Sequence, residues 1–433
     1  MILVFDIGKT HKKASVFDND LRELWQRQCS IPEIEDEDGY PTEDIGALIR
    51  WMEDIIETLA RARTYPLTHL QFSAYGASLV HLDREGNRLT PLYNYTKPMP
   101  EGLEESFFRD YGPRETFLVD TASPALGFLN AGMQLFWLSR KKPKVFAQIH
   151  RTLHLPEYLS YHFTGEFHAS LTSIGCHTAL WHYGNGDYHP WVHAEGVAEK
   201  LAPLCPASRT VARQVGGFTL QVGTGVHDSS AALFSFSAIR KEPFLFLSTG
   251  TWTIAFNPFA CKSLRSEELV QDCLLFMRPD GGTVKAARLF LGYCLQVRVR
   301  DLETRFGGSA EAIFRSTPEV VLAQHVMERD YRCFTFSELG FEDKRAGQLR
   351  DLPRESLQEA IYQLTWELAS LQGEQLLLAA EGREFPNLYV EGGFAGNLLF
   401  LHFLGLRFPG MAIHSLEEYP GPALGAARLI LKH

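Results

Sequence analysis

The chain has 433 residues, 45% apolar and 22% charged, a balance typical of globular proteins, and its length exceeds what one hydrophobic core usually serves, so two domains are expected. A formal net charge of −10 argues against nucleic acid or an anionic membrane as the main partner, because either would repel an acidic surface. The seven cysteines are scattered, odd in number and without a CxxC pair, so they suggest neither a zinc ribbon nor a disulfide framework and read as buried reduced thiols.

The amino terminus lacks a basic region and meets Asp6 after a few apolar residues, which does not read as a signal peptide. The apolar stretch 398–406 is broken by His402 and too short to span a bilayer, so a cytoplasmic protein is expected. Residues 2–7 form an apolar run ending at Gly8, residues 14–17 resume it, and Asp18-Asn19-Asp20 turns the chain into a third strand over 21–29. Ile45, Leu48, Ile49, Met52, Ile55, Ile56 and Leu59 then recur at helical spacing. A strand near 70–73 ends at Tyr75-Gly76, and a hairpin is expected around residues 83–87; the acidic stretch 33–38 reads as a solvated loop.

A second strand–turn–strand unit follows downstream, with residues 244–247 running into Ser248-Thr249-Gly250-Thr251 and 252–256 running out. One such unit near the start of each half predicts two related halves, with a boundary near Lys241. Ser356-Leu357-Gln358-Glu359 reads as a capping box opening a long helix, and a strand near 388–391, a glycine turn and another helix come after it.

Chemistry concentrates in four segments. In Asp6-Ile7-Gly8-Lys9-Thr10-His11-Lys12-Lys13, glycine lets backbone amides approach an anion, Thr10 and Lys13 add a hydroxyl and a cation, and Asp6 could hold Mg²⁺ through water. Ser248-Thr249-Gly250-Thr251 repeats that chemistry without the carboxylate. Gly223-Thr224-Gly225-Val226-His227-Asp228 presents a carboxylate before an alanine-rich helix, suited to a general base or to a helix cap. Glu391-Gly392-Gly393-Phe394-Ala395-Gly396-Asn397 allows close backbone approach and an amide for a purine, or is simply a strand–helix turn. Each also reads as ordinary turn chemistry when taken alone.

In this order, the segments resemble the FGGY carbohydrate kinases over nearly the full chain. Asp6-Ile7-Gly8 to Lys13 and Ser248-Thr249-Gly250-Thr251 look like their two phosphate motifs, and Gly225-Val226-His227-Asp228 like the segment bearing their catalytic Asp. Gly392-Gly393 to Asn397 looks like their adenosine motif, Gly292 and Gln296 fall on nucleotide-contact positions, and Ala423-Leu424-Gly425-Ala426-Ala427 matches their closing helix. His227-Asp228-Ser229 brings the chain nearest to rhamnulokinases and related deoxy-ketose kinases. Lys9, where the family usually has Thr, and Tyr95-Thr96-Lys97 depart from the pattern and bear on which sugar is taken.

The resemblance implies an α/β fold of two RNase H-like domains of the actin/hexokinase type around a cleft, 1–241 holding the sugar and base and 242–433 mainly the nucleotide. Asp228 would be the base, with Tyr75, Gly76 and His227 beside the sugar. ATP would meet Gly8, Lys9, Thr10, Lys13, Thr249, Gly250, Thr251, Gly292, Gln296, Gly392, Gly393 and Asn397, with Mg²⁺ near Asp6. L-Rhamnulose or L-fuculose is the favoured substrate, with D-xylulose, another sugar or polyol, a non-catalytic sugar sensor and an actin-like ATPase kept as alternatives. The partners expected are sugar and ATP, with a homodimer left open.

Overall fold

A computed structural model describes residues 1–240, 242–329, 331–339, 348–352, 356–416 and 421–431. The opening apolar run is β1 (Ile2–Ile7), paired antiparallel with β2 (Lys12–Phe17), which pairs antiparallel with β3 (Glu23–Cys29). The third strand starts two residues later than its sequence suggests because Asp18 closes the turn, its Oδ1 accepting the Asp20 and Arg22 amides at 2.9 and 2.8 Å while Leu21 adopts a positive φ. Helix α1 (Ile45–Ala62) buries the seven residues expected from its spacing and is capped by Asp44, which accepts the Ala47 amide at 2.8 Å. It leads to β4 (His69–Ala74), parallel to β1.

The turn at 83–87 closes a short hairpin: the Asp83 amide donates to the Asn87 carbonyl at 3.0 Å, the Leu89 amide to the His81 carbonyl at 2.9 Å, and a single bridge joins Leu82 to Arg88. The longer pairing of β5 (Leu79–Leu82) is with β6 (Arg151–His154). The first sheet is completed by β7 (Thr210–Val215) and β8 (Phe218–Gly223), while β9 (Val226–His227) pairs with the end of β4 and runs into α2 (Asp228–Ser237).

The second sheet repeats the plan. β10 (Phe244–Thr249) and β11 (Thr253–Asn257) form the hairpin, β12 (Cys273–Met277) and β13 (Thr283–Leu289) extend it antiparallel, and α3 (Leu291–Phe306) follows. The long α4 (Leu357–Ala380) is capped by Ser356, whose Oγ accepts the Glu359 amide at 3.1 Å; the Glu359 carboxylate pairs with Arg329. β14 (Asn387–Gly392) lies parallel to β10, then α5 (Leu398–Arg407), β15 (Ala412–Leu416) and α6 (Gly421–Leu431) end the described chain. Both sheets contain three antiparallel strands followed by a parallel one, β3-β2-β1-β4 in one and β13-β11-β10-β14 in the other, and the second adds β12 as a fourth antiparallel strand at its edge. Lys241, the expected boundary, lies outside the described residues.

Strand alternation decides what lies between the sheets. Leu3, Phe5 and Ile7 enter the large core of the first half, whereas Ile2 and Val4 face α6 and Ala231 of α2. Leu245 and Leu247 enter the core of the second half, whereas Phe244 and Phe246 meet Leu233 and Phe236 of α2. Helix α2 therefore presents apolar side chains to both sides and is pressed between the two sheets. Helix α6, last in the described chain, covers the first sheet and meets α2 backbone to backbone: a Cβ at Gly425 would stand 1.8 Å from the Ala231 carbonyl oxygen.

The acidic stretch 33–38 is exposed as expected at Glu33, Glu35, Glu37 and Asp38, but it is not solvated at Asp36. Asp36 is fully buried at its side chain and bonds Lys97 Nζ at 2.6 Å, and Lys97 also reaches Asp38 at 2.5 Å. Glu33 bonds Lys9 at 2.6 Å and Glu37 pairs with Lys142. Nor are the cysteines all buried: Cys261 is exposed and Cys29, Cys205 and Cys333 are half-buried, while all seven are free. Burial alone would push the Asp36 carboxyl up; the Lys97 ammonium and the Tyr40 and Asp38 amides outweigh it and hold it below the usual value.

Lys97→Ala strands a buried carboxylate and is expected to cost about 3–5 kcal/mol at neutral pH, read from denaturant unfolding. A depressed carboxyl stabilises the fold above its unfolded value of 3.8 and loses that effect as pH falls through the lower folded value, so the gap between variant and wild type should narrow below pH 3.8. A gap independent of pH would show that Lys97 acts through its alkyl stem alone.

Candidate active site

The ends of β1, β4 and β9 meet at one place because their registers align: Asp6 lies beside Ser73, Val226 beside Ser73, and His227 beside Ala74. Asp6 is the next residue on the Ile2–Val4 face, so it points to the side where α2 begins with Asp228. In the second half Ser248 continues the Phe244–Phe246 face and lies in register with Glu391. Carboxylate and serine thus exchange places between the two sheets.

These acids feel one another. The Asp6 carboxyl is pushed up to about 7, first by burial, then by the Asp228 charge and more weakly by Glu391, against the opposing Ser73 hydroxyl and Lys13 ammonium. Burial raises Glu391 as well, with the Ser248 hydroxyl opposing. A cation would relieve this repulsion. Among the described residues no three His, Cys, Asp or Glu side chains form a ready metal cage. That suits Mg²⁺, which keeps its waters and takes one or two carboxylates together with substrate phosphates.

The first turn is braced from within. Lys12 is 1% exposed; its Nζ bonds the Gly8 and Lys9 carbonyls at 3.1 and 2.9 Å and pairs with Glu43 at 3.0 Å. Lys9 is held by Glu33 and by Glu43 at 3.2 Å, Lys13 by Glu23 at 2.9 Å, while Thr10 is exposed. The sequence singled out Lys9 and Lys13 and passed over Lys12, Glu43 and Glu391. Only Glu391, directly before two glycines, carried a local signal.

Tyr75 is tied to the first strand by its amide, 3.1 Å from the Ile7 carbonyl, and its ring meets Tyr95 edge-on at 6.1 Å. Tyr95 in turn senses the charges of Lys9, Asp228 and Glu43. Gly76 is needed for packing, since a Cβ there would lie 3.0 Å from the His227 ring. Tyr75, Gly76, His227 and Asp228 therefore share one wall. Asp228 is 26% exposed at its side chain. It sits in the first turn of α2 with His227 as N-cap, so it is not the cap itself.

The second turn, the two glycines and the start of α3 converge. Thr249 donates its hydroxyl to the Glu391 carbonyl and accepts the Phe394 amide at 2.9 Å, and its own carbonyl accepts the Gly393 amide at 2.9 Å. The Thr249 side chain is thus committed within the protein, leaving Gly250 and the exposed Thr251 at the surface of the turn. Gly292 packs on that turn, where a Cβ would stand 1.9 Å from the Gly250 carbonyl oxygen. Gln296 is exposed one helical turn further along α3. Asn397 caps α5, its Oδ1 accepting the Phe400 amide at 3.0 Å.

Residues 1–234 match the N-terminal domain of the FGGY family of carbohydrate kinases, and residues 241–433 match the C-terminal domain of carbohydrate kinase FGGY. A carbohydrate kinase from Novosphingobium aromaticivorans superposes with a TM-score of 0.82 at 26% identity, covering 99% of this chain and 93% of that one. A xylulose kinase from Lactobacillus acidophilus shares the fold, with a TM-score of 0.78 at 16% identity over 99% of this chain and 89% of that one. Among curated proteins, the "Probable L-xylulose kinase" of Pasteurella multocida strain Pm70 is 24% identical over 58% of this chain and 54% of its own length. A rhamnulokinase of Yersinia pestis strain Pestoides F is 24% identical over 54% and 48%. The chain spans about half the length of these curated relatives. Among the described residues no helix is long and apolar enough to cross a membrane.

The two adjacent glycines should respond differently to substitution. Gly392 has φ +81°, and a Cβ there would fall 1.9 Å from the Thr249 carbonyl oxygen, whereas a Cβ at Gly393 meets nothing within 4 Å. Gly392→Ala is expected to lower the thermal midpoint clearly and Gly393→Ala to leave it near wild type. Equal losses would mean that the turn is not locked as described.

Proposed function

We propose that this chain, which belongs to the FGGY family of carbohydrate kinases, transfers the γ-phosphate of ATP to a hydroxyl of a small sugar held between its two sheets. The observation that carries the reading is Asp228, partly open at the first turn of a helix wedged between the sheets and within electrostatic reach of Asp6. In this reading Asp228 takes the proton of the attacking hydroxyl, and that oxygen forms the new bond to phosphorus while ADP leaves. The sugar lies against Tyr75 and Gly76. Backbone amides of the turns at Gly8 and Gly250 face phosphate oxygens, and Gly392 and Gly393 leave room for the adenosine. Mg²⁺, held through water by Asp6 and by the phosphates, would offset their charge. Residues 1–241 would then carry the sugar and the base, 242–433 mainly the nucleotide, and ATP as co-substrate fits a cytoplasmic setting.

For the sugar we favour a six-carbon deoxy-ketose such as L-rhamnulose or L-fuculose. The Tyr75–Tyr95 pair offers an apolar ring edge for a methyl group, and the neighbouring carboxylates offer acceptors for hydroxyls. D-Xylulose is the leading alternative. An ADP-release screen across ketoses, aldoses and polyols separates them; preference for glycerol, or for an aldose over every ketose, would sink the ketose assignment and leave the kinase reading intact.

Asp228→Asn should lower sugar-dependent turnover by ~100- to 10,000-fold with folding unchanged. Near-normal turnover would reduce Asp228 to a structural role. Gly393→Val should weaken ATP while sugar affinity, measured calorimetrically without nucleotide, stays put; unchanged ATP binding would move the nucleotide elsewhere.

A further inference from the structure

We infer that His227 positions the Asp228 carboxylate through its Nε2–H, with its ring fixed by Phe276 from the second half, and does not itself bind the sugar. This rests on reading Asp228 as the base. The ring is 4% exposed and enclosed on several sides. Its face stacks on Phe276 at 5.7 Å and 27°, and its Cδ2–Nε2 edge abuts Gly76. Its backbone amide donates to Thr172 Oγ1 at 3.2 Å. Nε2 stands 3.4 Å from Asp228 Oδ1 and 3.4 Å from Cys176 Sγ, and the buried Nδ1 has no hydrogen-bond partner.

Those contacts decide the tautomer. Burial lowers the ring's proton affinity, against the opposing Asp228 charge, so the ring is neutral and carries one N–H. With the proton on Nδ1, a buried donor would lack an acceptor, and the Nε2 lone pair would face a carboxylate. The Cys176 S–H, a weak donor to that lone pair, does not offset both costs. With the proton on Nε2, the ring donates toward Asp228 and only an acceptor goes unfilled. At 3.4 Å the two groups are in contact without a closed hydrogen bond, and catalytic contacts often tighten only when substrate binds.

Asp228 Oδ1 also accepts the Ser229 amide at 2.5 Å and the Ser229 hydroxyl at 3.2 Å. Among the described residues no hydrogen bond is made to Oδ2, which leaves that oxygen to take the substrate proton. His227 thus holds the carboxylate by one oxygen and frees the other. Phe276 belongs to β12, and Ser230, two residues beyond Asp228, donates to the Met277 carbonyl at 2.9 Å. The second half therefore braces both the imidazole and the helix bearing the base.

His227→Phe keeps a ring and removes the donor; His227→Gln can place an amide N–H where Nε2 stands. The loss of a hydrogen bond to a charged group predicts a kcat lowered roughly 10- to 100-fold in His227→Phe, with the sugar KM little changed. His227→Gln should restore most of that turnover. A raised KM at unchanged kcat in the Phe variant would make His227 a sugar ligand and overturn the inference. So would a folded Gln variant, with wild-type melting and ATP binding, that turns over no faster than the Phe variant. If the Phe variant does not fold, the Gln variant against wild type decides alone, and a kcat loss of roughly 10-fold or more in it would count against the inference. Nitrogen chemical shifts of His227 in the resting protein supply a readout without turnover: protonated Nε2 is expected, and protonated Nδ1 would overturn the inference. Wild-type protein that releases no ADP with any sugar would sink the kinase reading, and those shifts would still decide the tautomer.

Discussion

A helix pressed between two sheets organises this molecule. Because α2 presents Ala231 to one sheet and Leu233 and Phe236 to the other, the sheets cannot choose their separation freely; it is set by the girth of that helix and its side chains. The helix starts where β9 ends, so its first residue is delivered to the gap between the ends of β1 and β10. The place of Asp228 is thus a by-product of packing. A carboxylate on a mobile loop would need other means to stay within reach of two sheets.

Related plans in the two halves bring like to like, and here that produces electrostatic tension. Asp6 and Glu391 occupy non-equivalent strands of equivalent sheets, each with a serine in register, so two acids face the gap that a third, Asp228, already occupies. The Asp6 carboxyl is raised first by burial and then by that repulsion. Such a cluster is destabilising in isolation and becomes favourable when a cation with its anionic cargo arrives. Of the lysines nearby, Lys13 offsets part of the cluster's charge, while Lys9 and Lys12 are engaged by Glu33 and Glu43.

What the sequence made legible was local. The apolar runs over 2–7 and 244–247, the helical face of α1 and the glycine turns all depend on residues a few positions apart, and strands and a helix formed there. The FGGY motifs placed Asp6, Asp228 and Gly392-Gly393 in one region. What stayed hidden depended on distant pairs. Nothing near Asp36 indicates that Lys97 will bury it, nothing near Lys12 points to Glu43, and Cys176 and Phe276 reach His227 from two separate segments. The hairpin expected at 83–87 is likewise only the local part: it closes on its own turn, while the longer pairing of β5 is with β6, far along the chain.

The covering of the first sheet by α6 bears on how the polypeptide is made. Ile2, Val4 and Val226 are all translated before the alanine-rich surface that shields them, Ala423, Ala426 and Ala427. Throughout synthesis of the second half, the nascent chain therefore carries an apolar face with its permanent cover missing, the kind of surface that binds chaperones or aggregates. The two halves resemble separate modules, but the first draws part of its cover from the second. A gene split between them would yield an amino-terminal fragment that stays incomplete until the other fragment lends it a helix.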